Sequence, residues 1–202
     1  MTRMNQHWNF FSEGEILFGD GVLAQLPAWL TSRYLRRLLL ITDARLVEAG
    51  LVEQVIAPLK AAGCEVKLFA EGEPEPSVAV AERAGGAAKA FGPQAILGLG
   101  GGSNLDLAKI TAIVAAHGGK PRDYFGFDRV PGPVAPLVAI PTTAGTGSEV
   151  SHAAVLTDHE AGIKVSSLSR HLRPAMALVD PELTYTCPPR VTADSGMDAL
   201  TH

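Results

Sequence analysis

The strongest constraint on this chain is the regular exchange of two apolar patterns. Short, mostly continuous apolar runs occur at "RLLLIT" (37–42), "CEVKLFA" (64–70), "AILGLG" (95–100) and "APLVAIP" (135–141). Segments of helical periodicity stand between them, at 51–63, 77–92 and 104–119. A run with no polar face has both sides covered, which suits strands of a parallel sheet. Helices in the intervening segments then cover both faces. The predicted fold class is therefore α/β, a parallel sheet with helices on both faces. Boundary residues agree: Ser77 is a good N-cap before one helix, and Gly63 is a stop after another. Two segments depart from the rhythm. "NFFSEGEILFGDG" near the N-terminus reads as an antiparallel hairpin, as does the stretch 152–167. Pro188 and Pro189 mark a boundary, after which the residues turn helical.

Composition narrows the function classes. Of 202 residues, 47% are hydrophobic, enough for a full core, and the formal net charge of -4 leaves no basic footprint for nucleic acid. The small cluster Arg33, Arg36 and Arg37 reads as a solvated helix face. No run approaches the roughly 18–20 apolar residues that a membrane helix needs. The N-terminal "MTRMNQHWNFF" lacks a long apolar region and a small-residue cleavage site. A cytoplasmic protein without a membrane partner is the expectation. Cys64 and Cys187 are far apart and outside any CxxC spacing, so both read as small core residues rather than a disulfide.

Ligands of open parallel sheets sit at the carboxyl ends of the strands. Gly98, Gly100, Gly101, Gly102 and Ser103 fall at such an end, just before a helix. Glycine lets backbone approach a ligand closely, and a helix start offers free N–H groups and a positive dipole end. Together these suit a pyrophosphate; a tight turn without a ligand is the alternative. Ser103 is followed by Asn104, so the loop is not a Walker A motif. It also lies about 90 residues too late for the usual first-unit dinucleotide fingerprint. Asp43 follows the first strand of the alternating region. It can accept from ribose hydroxyls and repel a 2′-phosphate, favouring NAD over NADP, or it can cap the next helix. "IPTTAGTGSEV" (140–150) is another polar strand end, with hydroxyls at Thr142, Thr143, Thr146 and Ser148 suited to phosphate, ribose or the nicotinamide amide.

Asp198 and His202 stand four apart in "GMDALTH" and share one face of a helix. Carboxylate oxygen and imidazole nitrogen suit Fe²⁺ or Zn²⁺, but a catalytic metal needs at least three protein ligands. By spacing alone, a surface ion pair is the favoured reading of the two.

The motifs GGGSNLDLAK, PTTAGTGSEV and DSGMDALTH, in this order and at these separations, resemble the iron-containing, or group III, alcohol dehydrogenase family. The resemblance implies a dinucleotide-binding domain over residues 1–188 and the beginning of an all-helical metal-binding domain, incomplete, over 189–202. It implies an NAD(P)-dependent, metal-dependent alcohol dehydrogenase acting on a small-molecule alcohol or aldehyde. It carries Asp43, Gly100, Gly101, Gly102, Ser103, Thr142 and Thr143 onto cofactor positions, with Thr146, Ser148, Lys164 and Leu183 as weaker correspondences. Asp106 would face cofactor or substrate, and Lys109 matches the same segment or is a helix-surface charge. Asp198 and His202 would supply the first two metal ligands, with Fe²⁺ expected and Zn²⁺ as the alternative. Two further histidines would come from beyond residue 202, so the chain as given is expected to bind cofactor without catalysing. Ser195 stands where many members have Thr, and either can cap the helix. Related chemistries on the same fold are glycerol dehydrogenase, maleylacetate reductase and transhydrogenase; a non-catalytic nucleotide-binding fragment is the alternative of a different class. A homodimer or larger homo-oligomer is expected, with N-terminal strands meeting across subunits. His152, His159 and His171 belong to no motif, and no catalytic base is assigned within the chain.

Overall fold

The computed structural model describes residues 14–202. In chain order the first elements are β1 (Glu15–Phe18), α1 (Leu26–Ser32), β2 (Arg37–Ile41), α2 (Ala44–Glu48) and α3 (Leu51–Ala61). Then come β3 (Glu65–Phe69), α4 (Val78–Phe91), β4 (Ala95–Gly100) and α5 (Gly102–His117). The last are β5 (Gly126–Phe127), β6 (Leu137–Pro141), β7 (Ala153–Asp158), β8 (Ile163–Leu168), β9 (Met176–Val179) and α6 (Pro189–Thr201). Six strands form one sheet in the order β1-β9-β6-β4-β2-β3, and every pairing in it is parallel. β5, β8 and β7 form a second, smaller sheet, whose β7–β8 pair is the antiparallel hairpin expected at 152–167.

The strands are apolar throughout because successive side chains feed two cores. Leu39, Ile41 and Ile96 point to one face and pack under α4 and α5. Leu38, Leu40, Leu97 and Leu99 point to the other and pack under α1 and α3. Each such fully buried side chain contributes about 1.5–3 kcal/mol. α5 is buried around most of its circumference, from Leu105 through Val114. It lies between β4 of the main sheet and β7 of the smaller one. The expected boundaries hold at Ser77, whose Oγ accepts from the Val80 N–H at 3.2 Å, and at Gly63, which has a left-handed φ of 78°.

Of the hairpin expected near the N-terminus, the described arm is strand β1, parallel to β9 with Glu15 opposite Met176; the other arm, residues 9–13, lies outside the described residues. Asp180 holds this junction: one carboxylate oxygen accepts from the Gly21 N–H at 3.1 Å and the other from the Leu23 N–H at 3.0 Å. The arginine cluster is not a helix face. Arg33 caps α1 and stacks on Trp29 at 4.1 Å, whereas Arg36 and Arg37 lead into β2. Arg37 pairs with Glu65 at 3.1 Å. Among the described residues, no helix is long and apolar enough to cross a membrane.

Candidate functional site

The parallel register brings three loops to one edge. Gly98 of β4 lies between Ile41 of β2 and Ala139 of β6, and Gly100 pairs with Pro141. The segments that follow these strands, at Asp43, at Gly101–Ser103 and at Thr142–Ser148, therefore emerge side by side. Gly100 takes a φ of 139°, which other residues rarely adopt, and turns the chain from β4 into α5. Gly102 packs against Thr146, where a Cβ would lie 2.7 Å from the threonine methyl. Gly101, the N-cap of α5, has no side chain to cap it, which leaves the first helical N–H groups for a ligand.

Two cavities open on this edge, and Ser103 lines both. The first, about 460 Å³, is bounded by Asp43, Leu46, Gly101, Thr142, Thr143 and Leu183. The second, about 530 Å³, is bounded by Gly102, Asp106, Thr146, Ser148 and Lys164, with Asp198 and His202 at its margin. The residues singled out from sequence thus fall into two groups on either side of the α5 N-terminus. Gly100 lines neither cavity; it is buried and shapes the turn.

Asp43 takes the helix-cap position. Its Oδ1 accepts from the N–H groups of Arg45 at 2.8 Å and Leu46 at 3.2 Å. It nevertheless remains on the wall of the first cavity. Cys187 departs from expectation: it is partly buried and lines that same cavity, whereas Cys64 is in the core. Lys164 is exposed and paired with Glu75 at 2.7 Å.

Below the second cavity lies a polar cluster that the sequence did not reveal. Lys109 is not a helix-surface charge; its side chain is 1% exposed. Its Nζ donates to the Ala153 carbonyl at 2.6 Å, Ser148 Oγ at 2.8 Å and Ser151 Oγ at 3.1 Å, and sits 3.4 Å from Asp106 Oδ1. Ser148 Oγ in turn donates to Asp106 Oδ1 at 2.6 Å, and Asp106 Oδ2 accepts from the Val155 N–H at 2.9 Å. Burial pushes the Lys109 ammonium below the usual lysine range, against the opposing pull of Asp106 and Glu149. The helix neighbours of Lys109, Leu105, Ala108, Ile110 and Ile113, are all buried, so a lysine among them has no route to water.

Asp198 and His202 come together on the last turns of α6. His202 Nδ1 lies 3.7 Å from Asp198 Oδ1 and 2.9 Å from the Asp198 carbonyl oxygen. Among the described residues, no three His, Cys, Asp or Glu side chains converge on a point that could hold a metal. Ser195 does not cap α6; it lies within the helix, against Gly145, where a Cβ would stand 2.6 Å from the Ser195 carbonyl oxygen. That contact seats α6 on the Thr142–Ser148 loop.

A parallel sheet covered on both faces, with a glycine turn between two cavities at the strand ends, defines a dinucleotide-binding-like α/β domain. The iron-containing alcohol dehydrogenase family profile matches residues 13–181, and the chain belongs to that family. It is 38% identical over 194 residues to the NAD-dependent methanol dehydrogenase of Bacillus methanolicus, covering 96% of this chain and 51% of that protein. The structure of a 1,3-propanediol oxidoreductase superposes with a TM-score of 0.92 at 32% identity, covering 98% of this chain and 52% of the other. Sulfoacetaldehyde reductase from Bifidobacterium kashiwanohense, solved in complex with NAD+, superposes with a TM-score of 0.85 at 30% identity, covering 96% and 51%. The chain spans about half the length of the relatives it matches.

Proposed function

We propose that this chain is the cofactor-binding half of an NAD(H)-dependent, metal-dependent alcohol dehydrogenase. The observation that carries the reading is the position of the uncapped α5 N-terminus, at the shared wall of two cavities. A dinucleotide has that shape: two nucleoside halves joined by a pyrophosphate. The N–H groups at Gly102 and Ser103 suit the pyrophosphate, since a helix N-terminus favours anions. The first cavity, walled by Asp43 and the apolar Leu46 and Leu183, suits adenosine; the second, with hydroxyls at Thr146 and Ser148, suits the nicotinamide half. The carboxylate of Asp43 favours a ribose with free hydroxyls over one bearing a 2′-phosphate, so NAD is preferred to NADP. A relative named as NAD-dependent and a structural neighbour solved with NAD+ support the same choice.

A bound nicotinamide would supply hydride transfer to or from the carbinol carbon, and a bound divalent metal would polarise the alcohol oxygen. Asp198 and His202 offer one carboxylate oxygen and one imidazole nitrogen at the margin of the nicotinamide-side cavity, a donor pair that suits Fe²⁺ or Zn²⁺. Two donors are fewer than the three or four that a catalytic site holds. Residues 1–202 on their own therefore bind cofactor, hold metal weakly and do not turn over alcohol. Gly101, Ser103, Thr142 and Thr143 orient the cofactor, and Asp106 and Lys109 keep the wall of the second cavity in place. The test is alcohol-dependent NADH formation with added Fe²⁺, measured for this chain alone and for the chain extended to the full length of its relatives. Turnover by the extended protein alone is expected. Turnover by the 202-residue chain, or none by the extended protein with any simple alcohol, contradicts the reading.

A further inference from the structure

Asn104 follows on the glycine turn, and the residue is buried, 3% exposed. Its Nδ2 donates to Asp43 Oδ2 at 2.7 Å and to the Leu99 carbonyl at 3.1 Å. Both partners are acceptors, which fixes the orientation of the amide. The other Asp43 oxygen is already held by the Arg45 and Leu46 N–H groups. The carboxylate is thus tied from two sides, once by its own helix and once by a residue 61 positions away. Two glycines make room for this amide: a Cβ at Gly72 would collide with Asn104 Oδ1, and one at Gly100 with Nδ2. Asn104 therefore joins the loop after β2, which walls the first cavity, to the turn after β4, which separates the two cavities.

The chemistry of the brace matters. An arginine or lysine here would also grip Asp43, but it would cancel the negative charge. An amide orients the carboxylate and leaves its charge in the cavity. We infer that Asn104 is a positioning residue for cofactor selection: it holds the Asp43 carboxylate in the orientation that accepts a ribose with free hydroxyls and repels a 2′-phosphate. This rests on the reading of the first cavity as the adenosine side.

Calorimetric titration of NADH and NADPH into the folded chain tests it. The unsubstituted chain is expected to prefer NADH. Asn104→Leu, close in volume but without the amide, should weaken NADH binding about tenfold, the size of a lost hydrogen bond to a charged group. NADPH binding should change less, so that the preference narrows. In the double variant with Asp43→Ala, the second substitution should add nothing, because Asn104 acts through Asp43. Asn104→Asp, nearly isosteric, sets two carboxylates against each other unless they share a proton. Its NADH affinity should recover as the pH is lowered from about 8 to about 5.5; NADH alone is compared, against the unsubstituted chain at each pH, because the 2′-phosphate of NADPH takes up a proton in the same range. If the unsubstituted chain binds neither nucleotide, the adenosine reading fails and the inference with it. If it prefers NADH and Asn104→Leu keeps that ratio, or Asn104→Asp keeps the unsubstituted chain's NADH affinity at every pH, or the Asp43 and Asn104 losses add, the inference alone is overturned.

Discussion

Replacing Lys109 by methionine isolates the buried ammonium from its aliphatic stem. Methionine fills most of the same channel, so the packing loss is small. The ammonium bonds to Ala153, Ser148 and Ser151 disappear, and Asp106 loses its buried countercharge. Removing one partner of a buried pair typically costs about 3–5 kcal/mol. Asp106 is not stripped bare, since Ser148 Oγ and the Val155 N–H still bond to it and its side chain is 14% exposed. The expected loss is thus nearer about 2–3 kcal/mol, or roughly 4–12 °C in Tm for a chain of this length. Urea unfolding followed by circular dichroism measures it. The pH dependence gives a second signature. Burial lowers the folded-state pKa of Lys109 below its unfolded value of 10.5. The unfolded chain then binds the proton more tightly, so this group's contribution to stability rises as pH climbs from the folded pKa toward 10.5. The methionine variant should lack that rise. Asp106→Asn in the same background should recover about 1 kcal/mol, because it removes the carboxylate left without a partner. A Lys109→Met chain within about 0.5 kcal/mol of the parent, with the same alkaline profile, would refute the reasoning.

Glu73 accepts from the Ser77 hydroxyl and N–H, and those bonds, the hydroxyl first, hold its carboxyl below the ordinary value of 4.5 despite partial burial. Its contribution to stability is present above that value and lost as pH falls through the lowered one, so Glu73→Gln should flatten the acid limb of a stability–pH curve; an unchanged limb contradicts this. Elemental analysis of the 202-residue chain should find little bound iron or zinc, and His202→Ala should abolish what there is; one tight metal per chain would mean that another donor completes the site. Ile16 and Phe18 on the edge strand β1 are 62% and 72% exposed, which suits pairing between two copies of the chain. Light scattering should therefore give a dimer, weakened by Phe18→Lys; a monomer at high concentration counts against it.

The legible parts of this molecule were those whose signal is local. β2, β4 and β6 announce themselves because both faces of each strand are buried, and the glycine turn because its small residues fall between a strand and a helix. The pairing of β1 with β9 was not legible because β9 lies about 160 residues on, and nothing in four residues specifies a parallel partner. The roles of Lys109 and Asn104 were hidden for a related reason. Each looks like an ordinary polar helix residue until α5 is seen to be enclosed between two sheets. Their roles arise from long-range contacts, to Ser148 and Ala153 in one case and to Asp43 in the other. Gly72 sits in "EGEPEPS" and reads as a loop, although its lack of a side chain is what admits the Asn104 amide.

The account stands or falls on whether the α5 N-terminus receives the pyrophosphate. Calorimetric titration of NADH into the parent chain and into Gly101→Val measures this most directly. A Cβ at Gly101 already lies 3.3 Å from Thr143 Oγ1, and a branched side chain there occupies the space above the first N–H groups of the helix. The account predicts saturable one-site binding in the parent and none in the variant, with both chains equally folded by circular dichroism. Equal NADH affinity in two folded chains would show that the glycine turn merely joins a strand to a helix.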